Sequence, residues 1–156
     1  MLSANRKVLS AGWLLYTSLP MSIDSATRDQ LFAAAREAMN HAYAPYSKFH
    51  VGAAILTSGD KVFTGCNVEN ASYGLTICAE RNAIFAAVAA QPAGEKLAIE
   101  AVAVATRPPS AAAPCGACRQ VIAEFAGKAG VKVFYQGDKG TKESTIAQLL
   151  PDSFSF

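Results

Sequence analysis

Apolar residues recur at helical spacing in the stretch that follows Asp24. Asp24 or Ser25 can accept hydrogen bonds from the free amides of a first helical turn, and Pro45 stops a helix. The apolar positions between them fall on one side of such a helix and are Leu31, Phe32, Ala35, Ala38, Met39 and Ala42. This pattern predicts a long amphipathic helix that packs one face against a core.

The next apolar runs alternate with turn residues and predict strands. HVGAAILT and KVFTGCNV flank the turn Ser58-Gly59-Asp60, an arrangement typical of an antiparallel hairpin. IEAVAVAT is apolar without a helical stripe, which indicates a buried strand. VKVFY predicts a further strand. The residues QGDKG after it are too few for a parallel crossover, so TKEST should pair antiparallel with VKVFY.

Helices are predicted between and after these strands. The segment from Ile77 to Ala90 is almost wholly apolar or small, and another helix begins near Pro114, since proline suits the first helical turn. Thr145 to Gln148 has the form of a capping box that opens a last short helix ended by Pro151. The order of elements predicts an α/β fold, a three-layer α/β/α sandwich with a mixed five-stranded sheet.

Residues 1–20 differ from the rest of the chain. They contain Arg6 and Lys7, no acidic residue, and an apolar run from Ala11 to Tyr16 that is too short for a secretory signal or a membrane span. We expect a disordered extension or a start assigned too early, with a transit peptide as the alternative, because Met21 precedes a good helix start. Residues 21–156 are then expected to form a single domain.

Composition narrows the classes of function. The formal net charge of +2 and the scattered lysines and arginines do not favour nucleic acid as a partner, and no segment suggests a membrane protein. Four cysteines without a convincing signal peptide indicate a reducing, cytoplasmic location, where disulfides are rare. Metal or thiol chemistry is therefore the expected use of the cysteines.

Three of the four cysteines lie where helices are predicted to begin. Cys115 and Cys118 are three residues apart and share a helix face, where the free amides of the first turn favour thiolates. Cys78 stands at the start of the preceding helix, and two such helix starts can direct three thiolates at one ion. Zinc suits this ligand set, and three protein ligands leave a fourth position for water. Glu80 can then accept a proton from that water.

The motifs CAERNA and PCGACRQV together resemble those of the cytidine deaminase family. The resemblance extends through YAPYSKFHVGAA, FTGCNVENASYG and the terminal LLPDSFSF, and so covers nearly all of the chain beyond Asp24. It is greatest to the small homotetrameric members, which act on free nucleosides. The resemblance implies hydrolysis of cytidine and deoxycytidine to uridine and deoxyuridine with release of ammonia, a reaction of pyrimidine salvage.

The resemblance also implies roles for the residues of these motifs. Cys78, Cys115 and Cys118 would hold one zinc ion per subunit. Glu80 would carry protons among the water, N3 of the pyrimidine and the departing ammonia. Arg81 would donate hydrogen bonds to ligand sulfurs, which suits the net charge of −1 that three thiolates and Zn²⁺ carry together.

The implied substrate contacts lie in other motifs. In GCNVEN, Asn67 and Glu69 match the pair that hydrogen-bonds the sugar 3′-hydroxyl. In YSKF, Phe49 matches the aromatic residue that packs on the pyrimidine, and the backbone at Ala79 would contact the base edge. Without the family match, the expectation for Phe49 would be a core aromatic, and for Asn67 and Glu69 a solvated turn.

The homotetrameric relatives further imply that active sites are shared between subunits. The loop NASYG would reach into an adjacent subunit's site with Ala71 and Tyr73, and Phe154 would close over the base from another chain, with Phe156 as a rival. The alanine-rich helix from Ile77 to Ala90 favours an interface as well, because small side chains let helices of neighbouring subunits approach closely.

Two alternatives remain at the level of sequence. The first is a noncatalytic, zinc-stabilised module in which Cys66 is the fourth ligand; otherwise Cys66 is expected to be a small buried side chain. The second is a related deaminase that acts on a nucleoside-like antibiotic, a modified cytidine or a base within a polynucleotide. Arg119 is a weaker candidate than Arg81 for offsetting the charge of the thiolates.

Overall fold

The computed structural model describes residues 16–17, 23–137 and 139–154. Six strands form one sheet in the order β1-β3-β2-β4-β5-β6. The strands are β1 (Tyr16–Thr17), β2 (Val51–Thr57), β3 (Lys61–Cys66), β4 (Ile99–Thr106), β5 (Lys132–Gly137) and β6 (Gly140–Thr145). The helices are α1 (Ser25–Met39), α2 (Ala79–Ala89), α3 (Gly116–Glu124) and α4 (Ile146–Leu149), with a 3₁₀ turn at Tyr73–Leu75.

Two hydrophobic cores form on opposite faces of the sheet. On one face, α1 contributes Leu31 to a core that contains Leu56 of β2. On the other face, α2 and α3 contribute Ile84 and Ile122 to a core that contains Val104 of β4. Helices on both faces of one sheet make the predicted three-layer α/β/α sandwich, and β2 to β6 are the five predicted strands. Among the described helices, none has the length and apolar character needed to cross a membrane.

The strand directions agree with the predicted mixed sheet. β2 pairs antiparallel with both β3 and β4, β4 pairs parallel with β5, and β5 pairs antiparallel with β6. Strand β1 was not expected from the sequence; it pairs antiparallel with β3, with Tyr16 opposite Val62. The rest of residues 1–20 lies outside the described residues, so the expectation of a disordered extension stays a prediction.

The helix ends show where local sequence signals act. The Asp24 carboxylate accepts a hydrogen bond from the Thr27 amide at 2.8 Å, as predicted for the start of α1. The helix ends at Met39, before Pro45, because the amides of Asn40 and His41 bond three residues back and tighten the last turn. The predicted capping box at the start of α4 is also present.

Glycines in β2 and β3 let the helices pack directly on the sheet. A Cβ atom on Gly65 would lie 2.6 Å from the carbonyl oxygen of Ala79 and 2.5 Å from the amide nitrogen of Ala83, so the first turn of α2 requires glycine in β3. Gly52 has the same role opposite α1, where a Cβ atom would lie 1.9 Å from the carbonyl oxygen of Ala35. The position of the first turn of α2 is therefore set by backbone contact with β3.

Candidate active site

Strand direction brings the starts of α2 and α3 together. Because β3 and β4 both run antiparallel to β2, their carboxyl ends lie at the same edge of the sheet. The chain continues from those ends into α2 and α3, whose N-cap residues are Cys78 and Cys115. Their sulfur atoms are 3.9 Å apart although 37 positions separate them in the sequence. Both helices begin about two residues later than predicted, so these two cysteines precede the first helical turn.

The three predicted metal ligands form one group. The sulfur atoms of Cys78, Cys115 and Cys118 all lie within 4.8 Å of one another. Two sulfurs bound tetrahedrally to one zinc ion at about 2.3 Å are about 3.8 Å apart, which is close to the 3.9 Å between the sulfurs of Cys78 and Cys115. Among the described residues this is the only group of three or more potential ligands, and Cys66 is not part of it.

The pKa values of Cys78 and Cys118 are shifted in opposite directions. A hydrogen bond from the Cys118 side chain, with a smaller contribution from Arg81, lowers the pKa of Cys78 to about 5. The same contact, together with burial, raises the pKa of Cys118. The contact between the two side chains therefore favours a thiolate within the group, and a bound cation would displace the remaining thiol protons.

Arg81 lies where the sequence predicted a charge partner for the thiolates. Its guanidinium donates to the sulfur of Cys78 at 3.6 Å and to the carbonyl oxygen of Thr76 at 3.3 Å. Arg119, the weaker candidate, instead donates to the carbonyl oxygens of Pro114 and Leu149, at 2.7 and 2.9 Å. Arg119 therefore joins the loop before α3 to the end of α4.

Glu80 occupies the first turn of α2 beside these sulfurs. Only 4% of its surface is exposed. Burial raises the pKa of its carboxyl group, and the negative charge of Cys78 raises it further, against opposing interactions with Cys118 and Arg81. A carboxyl group with a raised pKa binds a proton more readily than an ordinary carboxylate, which suits a group that accepts and releases protons in turn.

A pocket of about 290 Å³ opens beside the cysteines and Glu80. Its walls combine most of the predicted site residues with several that were not predicted. The predicted ones are Phe49, Asn67, Glu69, Tyr73, Cys78, Ala79, Glu80 and Cys115; the others are Ser47, Val51, Thr76, Val104, Ala112 and Ala113. The volume lies near the lower end, about 300 Å³, of the range for small-molecule sites, which suits a ligand of nucleoside size.

Three predicted substrate residues, Ala71, Tyr73 and Phe154, are exposed on the surface of their own chain. Tyr73 lies at the pocket of its own chain and is 61% exposed, whereas the sequence prediction assigned it to an adjacent subunit's site. Ala71 is exposed and is not in the pocket wall. Phe154 is 65% exposed and also lies outside that wall, and its rival Phe156 falls outside the described residues. A role for Ala71 or Phe154 in a neighbouring subunit stays a prediction.

Asn67 and Glu69 are buried, which excludes the simple solvated turn that their residue types alone suggest. They are 7% and 4% exposed, and both side chains bind the segment between Tyr46 and Val51. Ser47 belongs to this arrangement but was not predicted from the sequence as a site residue, although it lies within the motif YSKF. The sequence signal for Ser47 was its position two residues before Phe49.

Comparison with known proteins identifies the family. A family model described as the cytidine and deoxycytidylate deaminase zinc-binding region matches residues 25–134. The chain is 44% identical over 128 residues to a cytidine deaminase of Sporosarcina psychrophila, covering 81% of this chain and 90% of that protein. It is 47% identical over 131 residues to a cytidine deaminase of Halalkalibacterium halodurans, covering 82% and 94%.

A solved structure is similar over the same part of the chain. The crystal structure of a cytidine deaminase from Burkholderia pseudomallei superposes with a TM-score of 0.69 at 49% identity, covering 81% of this chain and 98% of that chain. The matched segment contains all three cysteines of the metal-binding group and Glu80. The chain therefore belongs to the zinc-binding cytidine and deoxycytidylate deaminase family.

Proposed function

We propose that the chain hydrolyses cytidine and deoxycytidine to uridine and deoxyuridine with release of ammonia. The observation that carries this proposal is the buried Glu80 beside three converging cysteine sulfurs, at the wall of a pocket of nucleoside size. The family relationship supports the reaction type, since the similar proteins are cytidine deaminases. A pocket of this small volume suits a ligand of nucleoside size.

Cys78, Cys115 and Cys118 are the residues that would hold zinc. Zinc held there would supply Lewis-acid chemistry that makes water nucleophilic near neutral pH, as hydrolysis at C4 requires. Arg81 offsets the negative charge of the thiolates through its hydrogen bond to Cys78. Its own Nε atom is buried without a partner among the described residues, so the guanidinium is held beside the sulfurs mainly by its terminal nitrogen.

Glu80 would move the protons of the reaction. Hydrolysis must transfer two protons from water to the base, one to N3 and one to the departing amino group. A single carboxyl group can carry them in turn, and burial favours its protonated form, from which it can donate. Its place in the first turn of α2 keeps it beside Cys78 without making it part of the group of sulfurs.

Other residues of the pocket wall would bind the sugar and hold the base. Phe49 would pack on the pyrimidine ring, and the backbone at Ala79 would contact the edge of the base. Asn67 and Glu69 would hydrogen-bond the sugar 3′-hydroxyl. Their place in the pocket wall, on the same side as Ser47, supports a nucleoside as the ligand.

We also propose a homotetramer with shared sites in the reducing cytoplasm. The outer face of α2 exposes Phe85 and Val88, and the adjacent 3₁₀ turn exposes Tyr73 and Leu75. Phe85 and Val88 are three residues apart and so share one face of the helix, and exposed apolar side chains on one face are typical of a surface that is covered in an assembly. A reducing location is favoured because all four cysteines are free thiols, and the metal-binding group requires them to stay reduced.

The proposed activity can be measured directly by the loss of cytidine absorbance on deamination. We expect purified protein to contain one zinc ion per chain and to release ammonia from cytidine and from deoxycytidine in equal amounts with the uridine product. A related deaminase specific for a modified base would leave both substrates unchanged while it retains zinc. Full activity after complete removal of zinc by a chelator would contradict the proposed chemistry.

Mixing two variants tests whether subunits share sites. We expect Glu80→Gln and Tyr73→Ala chains, each nearly inactive alone, to regain activity when they are unfolded and refolded together. If Tyr73 serves an adjacent subunit, random assembly of equal amounts leaves about a quarter of the sites with both residues intact. Sedimentation of the mixture verifies assembly. No recovery in a mixture that sediments as mixed tetramers would show that Tyr73 serves the pocket of its own chain.

A further inference from the structure

Ser47 lies between two residues of the pocket wall that would otherwise act separately. Its hydroxyl group donates a hydrogen bond to Oε1 of Glu69 and accepts one from the backbone amide of Phe49 at 3.0 Å. A serine hydroxyl has one proton to give, and here the carboxylate takes it. The proton of Ser47 is therefore not available to the substrate while this arrangement holds.

The carboxylate of Glu69 is held by the same short loop. Its Oε2 atom accepts hydrogen bonds from the amides of Tyr46 at 2.8 Å and Ser47 at 3.3 Å. The hydrogen bond from the Ser47 hydroxyl is the main cause that lowers the pKa of Glu69. An ionised carboxylate with fixed oxygens is a directed acceptor for a hydroxyl group of the ligand.

Phe49 is held on both sides of its backbone. While its amide donates to Ser47, its carbonyl oxygen accepts from Nδ2 of Asn67 at 2.8 Å. Oδ1 of Asn67 accepts from the amide of Val51 at 2.8 Å, so one buried amide side chain spans the residues around Phe49. Such bonds place the aromatic ring by fixing the backbone that carries it.

We propose that Ser47 is a positioning residue that couples the sugar end of the pocket to the base end, by joining the Glu69 carboxylate to the backbone of Phe49. This inference rests on the proposed function of the site. The coupling orders both ends before the substrate binds, so less freedom is lost on binding. Loss of Ser47 should then weaken binding at both ends, whereas loss of Glu69 alone weakens the sugar end.

The test compares Ser47→Ala with wild type on cytidine and on 3′-deoxycytidine, which lacks the hydroxyl group assigned to Glu69. We expect the KM for cytidine to rise about tenfold, as for the loss of a hydrogen bond to a charged group, with kcat changed less than about twofold. The KM for 3′-deoxycytidine should still rise about threefold through Phe49. Ser47→Thr keeps the hydroxyl group and should restore the cytidine KM to within about threefold of wild type.

Ser58→Ala, in the exposed turn between β2 and β3, is the matched control and should leave both KM values unchanged. If Ser47→Ala does not fold, Ser47→Cys takes its place, since a thiol is a weak donor of similar size. An unchanged cytidine KM, or a fall in kcat alone, overturns the proposal. A rise in the KM for cytidine without a rise in the KM for 3′-deoxycytidine overturns the link between Ser47 and Phe49. If wild type itself has equal KM values for both substrates, the sugar role of Glu69 fails, which is a failure of the proposed function.

Discussion

Glu80→Gln is expected to lower kcat by roughly 10²- to 10⁴-fold, the range typical of a lost general acid or base. Glutamine keeps the size of the side chain and part of its hydrogen bonding but cannot take up and release a proton. Because the side chain is buried beside the sulfurs, an isosteric change should leave the fold and the cysteine group in place. The loss should therefore appear in turnover and not in zinc content.

The measurement combines steady-state kinetics, zinc analysis and thermal unfolding of the same preparations. Glu37→Gln is the matched control, since Glu37 is exposed on α1 and lies outside the pocket wall. It should retain wild-type kcat. A metallated Glu80→Gln enzyme with more than about a tenth of wild-type kcat would be incompatible with the proton-carrying role.

Cys118→Ser is expected to abolish stable zinc binding and, with it, activity. Cys118 is fully buried in the first turn of α3, where it interacts with both Cys78 and Glu80. Serine is a poor zinc ligand, so the affinity should fall by more than the roughly 10- to 100-fold that accompanies loss of outer partners of a metal site. The midpoint of thermal unfolding should fall as well, because bound zinc stabilises the folded state.

Cys66→Ser is the matched control for this prediction. Cys66 is half-buried at the end of β3, outside the group of three sulfurs, and burial raises the pKa of its thiol. Its carbonyl oxygen accepts from the Asn82 side chain at 2.9 Å, a contact that serine preserves. Zinc content and activity should remain, with a modest loss of stability. Loss of zinc from Cys66→Ser would instead favour the structural site with four cysteine ligands.

Several elements were predictable because their signals are local. Asp24 caps α1 as expected, and the turn at Ser58-Gly59-Asp60 joins the hairpin of β2 and β3. The antiparallel pairing of β6 followed from the short connection after β5. Boundaries were less accurate. The helix after Cys78 begins at Ala79 and not at Ile77, because Ile77 is bonded to Val68 in an isolated bridge before the helix starts.

The motifs identified from the sequence contain most residues of the pocket wall, and the resemblance of those motifs supplied their proposed roles. The periodic pattern could not show that Asn67 and Glu69 are buried, because polar residues between a strand and a helix are usually solvated. Nor could it reveal Ser47, whose partner Glu69 lies 22 positions away. The contacts of Asn67, Glu69 and Ser47 depend on how the loop before β2 packs over the end of β3.

By itself, the sequence determined the helices, the strands β2 to β6 and the spacing of Cys115 and Cys118 at the start of α3, since each depends on residues a few positions apart. Only the tertiary structure decided that Cys78 and Cys115 meet, because this requires β3 and β4 to run in the same direction on either side of β2. It also decided the protonation of the site. Burial raises the pKa of Glu80, and the hydrogen bond from Cys118 lowers the pKa of Cys78; both effects depend on atoms brought together by folding.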